Sequence, residues 1–387
     1  MTFTIGAFPW HLLSAHGVAF TTQLGFLGLA ATFFISRKQF VLLLPQFFLK
    51  YILILFSFWL VVLTFIVVSG STDYGVLKAL LLLTKGVLPL IALGILYPFD
   101  DKDICAIFFS IITGSLLMAL NLLIFTEFDS QRATTDDHTN PIAIARTIGV
   151  GTTMLVLSAL VKSNVSLIFR LFSIPLTLTM FLMIILTGSR GPLISILLSI
   201  PIILFFIEKG IKQKVLILLK ILLTLLAIYS LIIFTPWESL GHSGLTRIIY
   251  YSSSFGENSS DLERIYRFHQ AWDSFIKSNG LGVGTGGFAR LYGYEDNAYP
   301  HNLILEVACE QGIIGLSLLV PLIFLPLLRL LSVSSRANCL YRLGILSIWP
   351  FSLSNAFVSG DIATNYILWV SGGLLLLLTP SLGPDYT

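Results

Sequence analysis

Apolar runs about 20 residues long recur along the whole 387-residue chain, and a run of that length is what an α-helix needs to cross a bilayer. Only 11% of the residues are charged and 56% are hydrophobic, whereas a soluble domain is about 25% charged. There is too little polar material to cover a water-facing surface. The alternating ten-residue segments of membrane barrels are missing. The expected fold is therefore all-α and polytopic, and a soluble enzyme, a disordered chain or a disulfide scaffold is excluded. Cys105, Cys309 and Cys339 show no paired spacing that would suggest a disulfide framework or zinc site. The formal charge of +3, with no run of like charges, gives no reason to expect a nucleic-acid partner. The first basic residue is Arg37, so the first apolar stretch lacks a signal-peptide pattern and reads as retained.

Windows of about 19 residues place spans near 12–35, 51–69, 79–97, 104–126, 141–161, 167–188, 191–207, 215–236, 312–331, 339–358 and 364–380. That makes 11, or 12 if the 36 residues before Arg37 fold as two short helices. Alternating them gathers 13 of the 23 basic residues, from Arg37 to Arg342, on one side, which the positive-inside rule makes cytoplasmic. The short opposite loops, around 70–78, 127–140 and 359–363, hold only Lys78 and Arg132. The connection 237–300 is then exoplasmic. At 64 residues, with 12 of the 43 charged residues and 9 of the 30 glycines, it is far longer than ordinary connections of about 4–6 residues, and function is expected there. The chain divides into N-terminal spans (1–140), central spans (141–236), the large loop (237–311) and C-terminal spans (312–387). Within the loop, Asp261–Lys277 has helical amphipathic spacing and reads as a helix along the membrane surface. A glycine-rich turn follows, and Pro300-His301 opens a second helix that meets the next span at Gly312.

Several side chains could carry chemistry. Arg190, in TGSRGP between two apolar runs, falls at the exoplasmic membrane edge within reach of a lipid phosphate; the plainer reading is an arginine snorkelling to headgroups. Arg146, in NPIAIARTIGVG, and Lys85, in LLLTKGVLP, sit inside spans, where an ionisable group needs a partner or a cavity. Arg264 and Arg267, spaced i,i+3, share a helix face and make a fork suited to a diphosphate; a solvated face countered by Asp261 and Glu263 is the alternative. His301 stands at the membrane boundary, where an imidazole suits proton transfer from a hydroxyl, and Asn302 and Glu306 share one helical face beside it. His138, His242 and His269 are also exoplasmic and composition does not choose among them. Gly282, Gly284 and Gly287 match GxGxxG, but without a βαβ unit they signify a sharp turn, or a close approach to a glycan or phosphate, and not a dinucleotide site.

Taken together, NPIAIAR, TGSRGP, ERIYRFHQAWDSFIKSNGLGVGTGGF and YPHNLILEVACEQGIIGL resemble the O-antigen ligase and Wzy-type polymerase family of bacterial glycan transferases, over roughly residues 140–330. The resemblance implies a GT-C-like fold and a donor glycan on undecaprenyl diphosphate. The glycan would pass, without nucleotide sugar, metal or cofactor, to an acceptor hydroxyl of lipid A-core or of a growing glycan. The site would face the periplasm from the inner membrane. Carried over by residue, Arg190 and Arg264 would hold the diphosphate and His301 would act at the acceptor hydroxyl, the three forming the catalytic set. Arg146, Arg267, Asn302 and Glu306 would bind substrate, with Arg267 the fallback for Arg264. Attack opposite the diphosphate would invert the anomeric centre. Transport or flipping of a lipid-linked sugar is the competing class, but transporters place charged or broken helices near the midplane, whereas here the polar elements cluster at one face.

Overall fold

The computed structural model describes residues 44–68, 70, 72–125, 141–160, 167–207, 210, 259–294, 298–333 and 340–378, and isolated positions between 212 and 222. The expected span 12–35, nearly all of 215–236, and Arg132, His138 and His242 fall outside them. Among the described residues every regular element is helical. Four stretches are long and apolar enough to cross a membrane: Gln46–Val68, Asp73–Leu96, Asp101–Ile124 and Leu303–Leu331. Shorter apolar helices occupy Pro141–Leu157, Leu171–Leu186, Arg190–Phe205 and Tyr366–Leu378.

The chain forms two units, one of Ile104–Leu262 with Ser334–Asn355, the other of Thr2–Asp103, Glu263–Val333 and Ala356–Thr387. In the second unit, α1 (Gln46–Val68) is followed by α2 (Asp73–Leu81), a π-helical turn (Leu82–Val87) and α3 (Leu88–Leu96). Lys78 was expected in a loop over 70–78, yet it lies inside α2 and is buried. The cause is local: the Thr72 hydroxyl accepts from Gly75 N at 3.1 Å, so the helix starts a turn before the apolar run does. The π-helical turn has a similar local origin. Pro89 cannot donate to the carbonyl of Lys85, and the turn ahead of it widens, with Leu88 N donating to Leu83 O. That turn presents Lys85 over the Tyr366 ring at 5.5 Å.

The same unit contains α8 (Ser259–Lys277) from Glu263 onward, α9 (Gly287–Leu291), α10 (Leu303–Val333) and α13 (Tyr366–Leu378). Helix α13 is buried on every side from Ile367 to Leu378, as expected of a helix apolar all round. One long-range bond and one local bond fix it: Tyr51 Oη donates to Trp369 O at 3.0 Å, and Trp369 Nε1 donates to Ile362 O at 3.0 Å.

The first unit contains α4 (Asp101–Phe125), α5 (Pro141–Leu160), α6 (Leu167–Leu186), α7 (Arg190–Ile207), α11 (Leu340–Leu346) and α12 (Ile348–Ala356). Close helix approach rests on small residues, as it does between membrane helices generally. A Cβ on Gly149 would stand 2.6 Å from the Phe351 ring. The expected single span 339–358 is instead two helices interrupted at Ser347. Pro350 has no N–H for the carbonyl of Leu346, and Ser347 takes up the break by donating from N to Leu343 O and Gly344 O.

Candidate functional site

The site is built on a discontinuity in α10. Gly312 sits at φ 63° and ψ −153°, so the helix is two segments, 303–311 and 313–333. A break frees carbonyls that must be satisfied elsewhere. The glycine-rich turn does this: Val283 N donates to Cys309 O at 2.8 Å and Gly284 N to Glu310 O at 2.9 Å. In return Ile313 N donates to Gly280 O at 2.8 Å. Gly282, at φ 84°, has no room for a side chain, since a Cβ would meet Glu310 O at 2.6 Å. The close approach expected of these glycines is to the chain's own broken helix.

The segment ahead of the break carries a buried ionic cluster. Lys78 Nζ donates to Glu306 Oε1 at 2.6 Å and Glu310 Oε1 at 2.8 Å, with all three side chains at most 1% exposed. The second oxygen of Glu306 accepts from Ile362 N at 2.9 Å. Lys78 also lies 4.6 Å from the Tyr74 ring, whose hydroxyl donates to Asp361 Oδ2 at 2.5 Å. Only Glu306 of this set was singled out in the sequence, and both its oxygens are engaged within the protein. The missed signal was the i,i+4 pair of carboxylates, Glu306 and Glu310, in an apolar run, since buried charges need a partner.

His301 directly precedes this segment. Asn302 caps it, its Oδ1 accepting from Leu305 N at 3.1 Å while its Nδ2 donates to Phe357 O at 2.9 Å. That cap leaves His301 at φ 61°, a left-handed conformation costing on the order of 1 kcal/mol for such a residue. The ring lies 4.3 Å from that of Tyr299, and its buried Nδ1 meets no hydrogen-bonding group among the described residues. Burial, reinforced by the positive charges of Arg264 and then Arg267 and opposed by Asp361, pushes the imidazole pKa down to about 4. At neutral pH His301 is therefore uncharged, able to accept a proton.

Arg264 and Arg267 do share one face of α8, but their surroundings differ. Arg267 pairs with Glu263, donates to Tyr299 O at 3.3 Å and lies 4.6 Å from the Tyr294 ring. It is committed to holding the chain before His301. Arg264 is partly buried on the same side. In the other unit, Arg146 is buried in the second turn of α5, and Arg190 opens α7 after a tight turn in which Ser189 N donates to Thr187 Oγ1 at 3.2 Å. Among the described residues no group of three His, Cys, Asp or Glu is placed to hold a metal ion.

Residues 175–320 match the family model described as O-antigen ligase. This part of the chain is similar to the O-antigen ligase family. No curated protein matches the chain. The matched stretch takes in Arg190, Arg264, Arg267, His301, Asn302, Glu306 and Glu310 and leaves out Arg146 and Lys78. The match over this stretch supports a glycosyl-transferring activity of the O-antigen ligase type, and the four long apolar helices agree with a membrane protein.

Proposed function

We propose that the protein moves a glycan from undecaprenyl diphosphate to an acceptor hydroxyl at the periplasmic face of the inner membrane, without a metal. The acceptor is lipid A-core in a ligase or another repeat unit in a polymerase. The observation that carries this reading is a strained His301 whose buried Nδ1 meets no hydrogen-bonding group among the described residues, on a segment that Arg267 holds through Tyr299 O. The acceptor oxygen attacks the anomeric carbon, the bond to the diphosphate breaks, and His301 takes the hydroxyl proton. Arg264 and Arg190 neutralise the charge that develops on the leaving diphosphate, the larger electrostatic contribution in such a transfer. Arg267 shapes the segment that carries His301, and the contacts of Asn302 and Glu306 support a positioning part for them in place of substrate binding. Arg146, buried within a span, is assigned to the donor.

The test is complementation of a glycan-deficient strain with wild type, Arg190→Ala, Arg264→Ala and His301→Ala at matched membrane levels. Loss of surface glycan in all three is the expected result. Normal glycan from all three would overturn the assignment. Polymer left on the lipid carrier marks a ligase, and single repeats on core mark a polymerase.

A further inference from the structure

The exposed side of α8 is not uniform. At 100° per residue, Trp272, Ile265, Ile276 and Leu262, with His269 among them, fall within an arc of about 80°. Asp273, Tyr266 and Lys277, all exposed, occupy the next arc of about 40°, up to the buried Gln270. Ala271, Ser274, Arg267 and Arg264 turn toward the protein. The helix thus has three faces, for protein, for water and for something apolar.

The break at Gly312 shows what that third medium is. Residues 313–333 alone reach about 30 Å at 1.5 Å per residue, the thickness of the hydrocarbon core. Gly312 therefore stands at the bilayer edge. The C-terminal end of α8 is fastened there, because Gly280 N donates to Phe275 O at 2.9 Å and Gly280 O accepts from Ile313 N at 2.8 Å. Trp272, Ile276 and Leu281 are each more than half exposed, as is Ile313, where the lipid-facing surface of α10 begins. The apolar arc continues a surface that already faces lipid, and it carries a Trp, the residue type enriched at membrane interfaces.

We propose that α8 lies in the interfacial layer of the bilayer, with Leu262, Ile265, Trp272 and Ile276 seated in lipid. One consequence, resting on the proposed function, is that Arg264 stands at the depth of lipid headgroups, where a diphosphate on a lipid carrier would be presented.

The full-length protein, one copy per nanodisc, tests this with phosphatidylcholine brominated either near the headgroup or near the chain end. The difference in emission between wild type and Trp272→Phe isolates Trp272. We expect the shallow bromines to lower that emission about twofold and the deep bromines to act less, as for insertion of about 5–10 Å. Emission untouched by either label, but quenched by aqueous iodide, would overturn the proposal. So would emission protected from bromine and iodide only when two copies share a disc, which would indicate a second copy as the occupant. Should Trp272→Phe fail to fold, Ile276→Trp adds a reporter on the same arc. The readout needs no substrate, so failure of glycan transfer does not affect it.

Discussion

The two segments of α10, on either side of the break at Gly312, face different surroundings. Before Gly312, the polar side chains Glu306, Glu310 and Gln311 are all buried, and the carboxylates are met by Lys78 and Ile362 N. After it, Ile313, Val320, Phe324 and Leu328 are exposed and need only lipid. The first segment depends on particular partners and the second on hydropathy. Chemistry is placed by the first, because His301 and its cap are fastened to it, while the second fixes depth.

The contrast can be broken most directly at Lys78. Lys78→Met strands two buried carboxylates and should cost about 3–5 kcal/mol, seen as loss of folded protein in fluorescence-detected gel filtration. Phe324→Leu in the second segment should stay within about 0.5 kcal/mol. An equal effect of the two would end the distinction. Next in size, Arg264→Gln should lower kcat/KM about 10²–10³-fold, the range for removing one preorganised donor. Arg267→Gln should act chiefly through thermal stability, and equal kinetic losses would show that the two arginines are not divided as their contacts suggest. Gly312→Ala forces a Cβ against the backbone at Gly280 in a left-handed conformation, for a loss of about 2 kcal/mol by thermal melt; an unchanged melting temperature would contradict the interlock.

The smallest effect sharpens the site itself. The folded-state pKa of His301 is depressed to about 4 from the usual 6.5, so the folded protein binds fewer protons than the unfolded chain between those values. Stability is unaffected above the usual value and falls as pH drops through that window. NMR titration of labelled histidine should find the low midpoint, and Arg264→Gln should raise it by removing the arginine that acts on the imidazole more strongly. A midpoint near 6.5 in wild type would remove the basis for a neutral, desolvated imidazole.

Much of this was legible in the sequence. Apolar run length located α1, α4, α5, α6 and α7 to within a few residues, because burial in lipid demands little more than hydropathy. Helical spacing found α8, and the glycines marked the turn after it. What escaped depended on partners distant along the chain or on single backbone defects. Lys78 at the edge of an apolar run resembles a loop residue until its partners Glu306 and Glu310 are known. Spacing made Arg264 and Arg267 equivalent, whereas Tyr294 and Tyr299, contributed by another segment, tell them apart. The interruption at Ser347 follows from Pro350, which hydropathy averages away.

The Lys78 cluster also bears on how the chain is made. The lysine emerges from the ribosome 228 residues before Glu306, an interval of roughly 10–45 s at about 5–20 residues per second. During that wait Lys78 lacks the two carboxylates that will meet it, and its span inserts at a penalty unless the ammonium reaches water by extending along its stem. Final seating of the span Asp73–Leu96 must follow arrival of α10, so the late-made segment that holds His301 in place also completes the insertion of an early one.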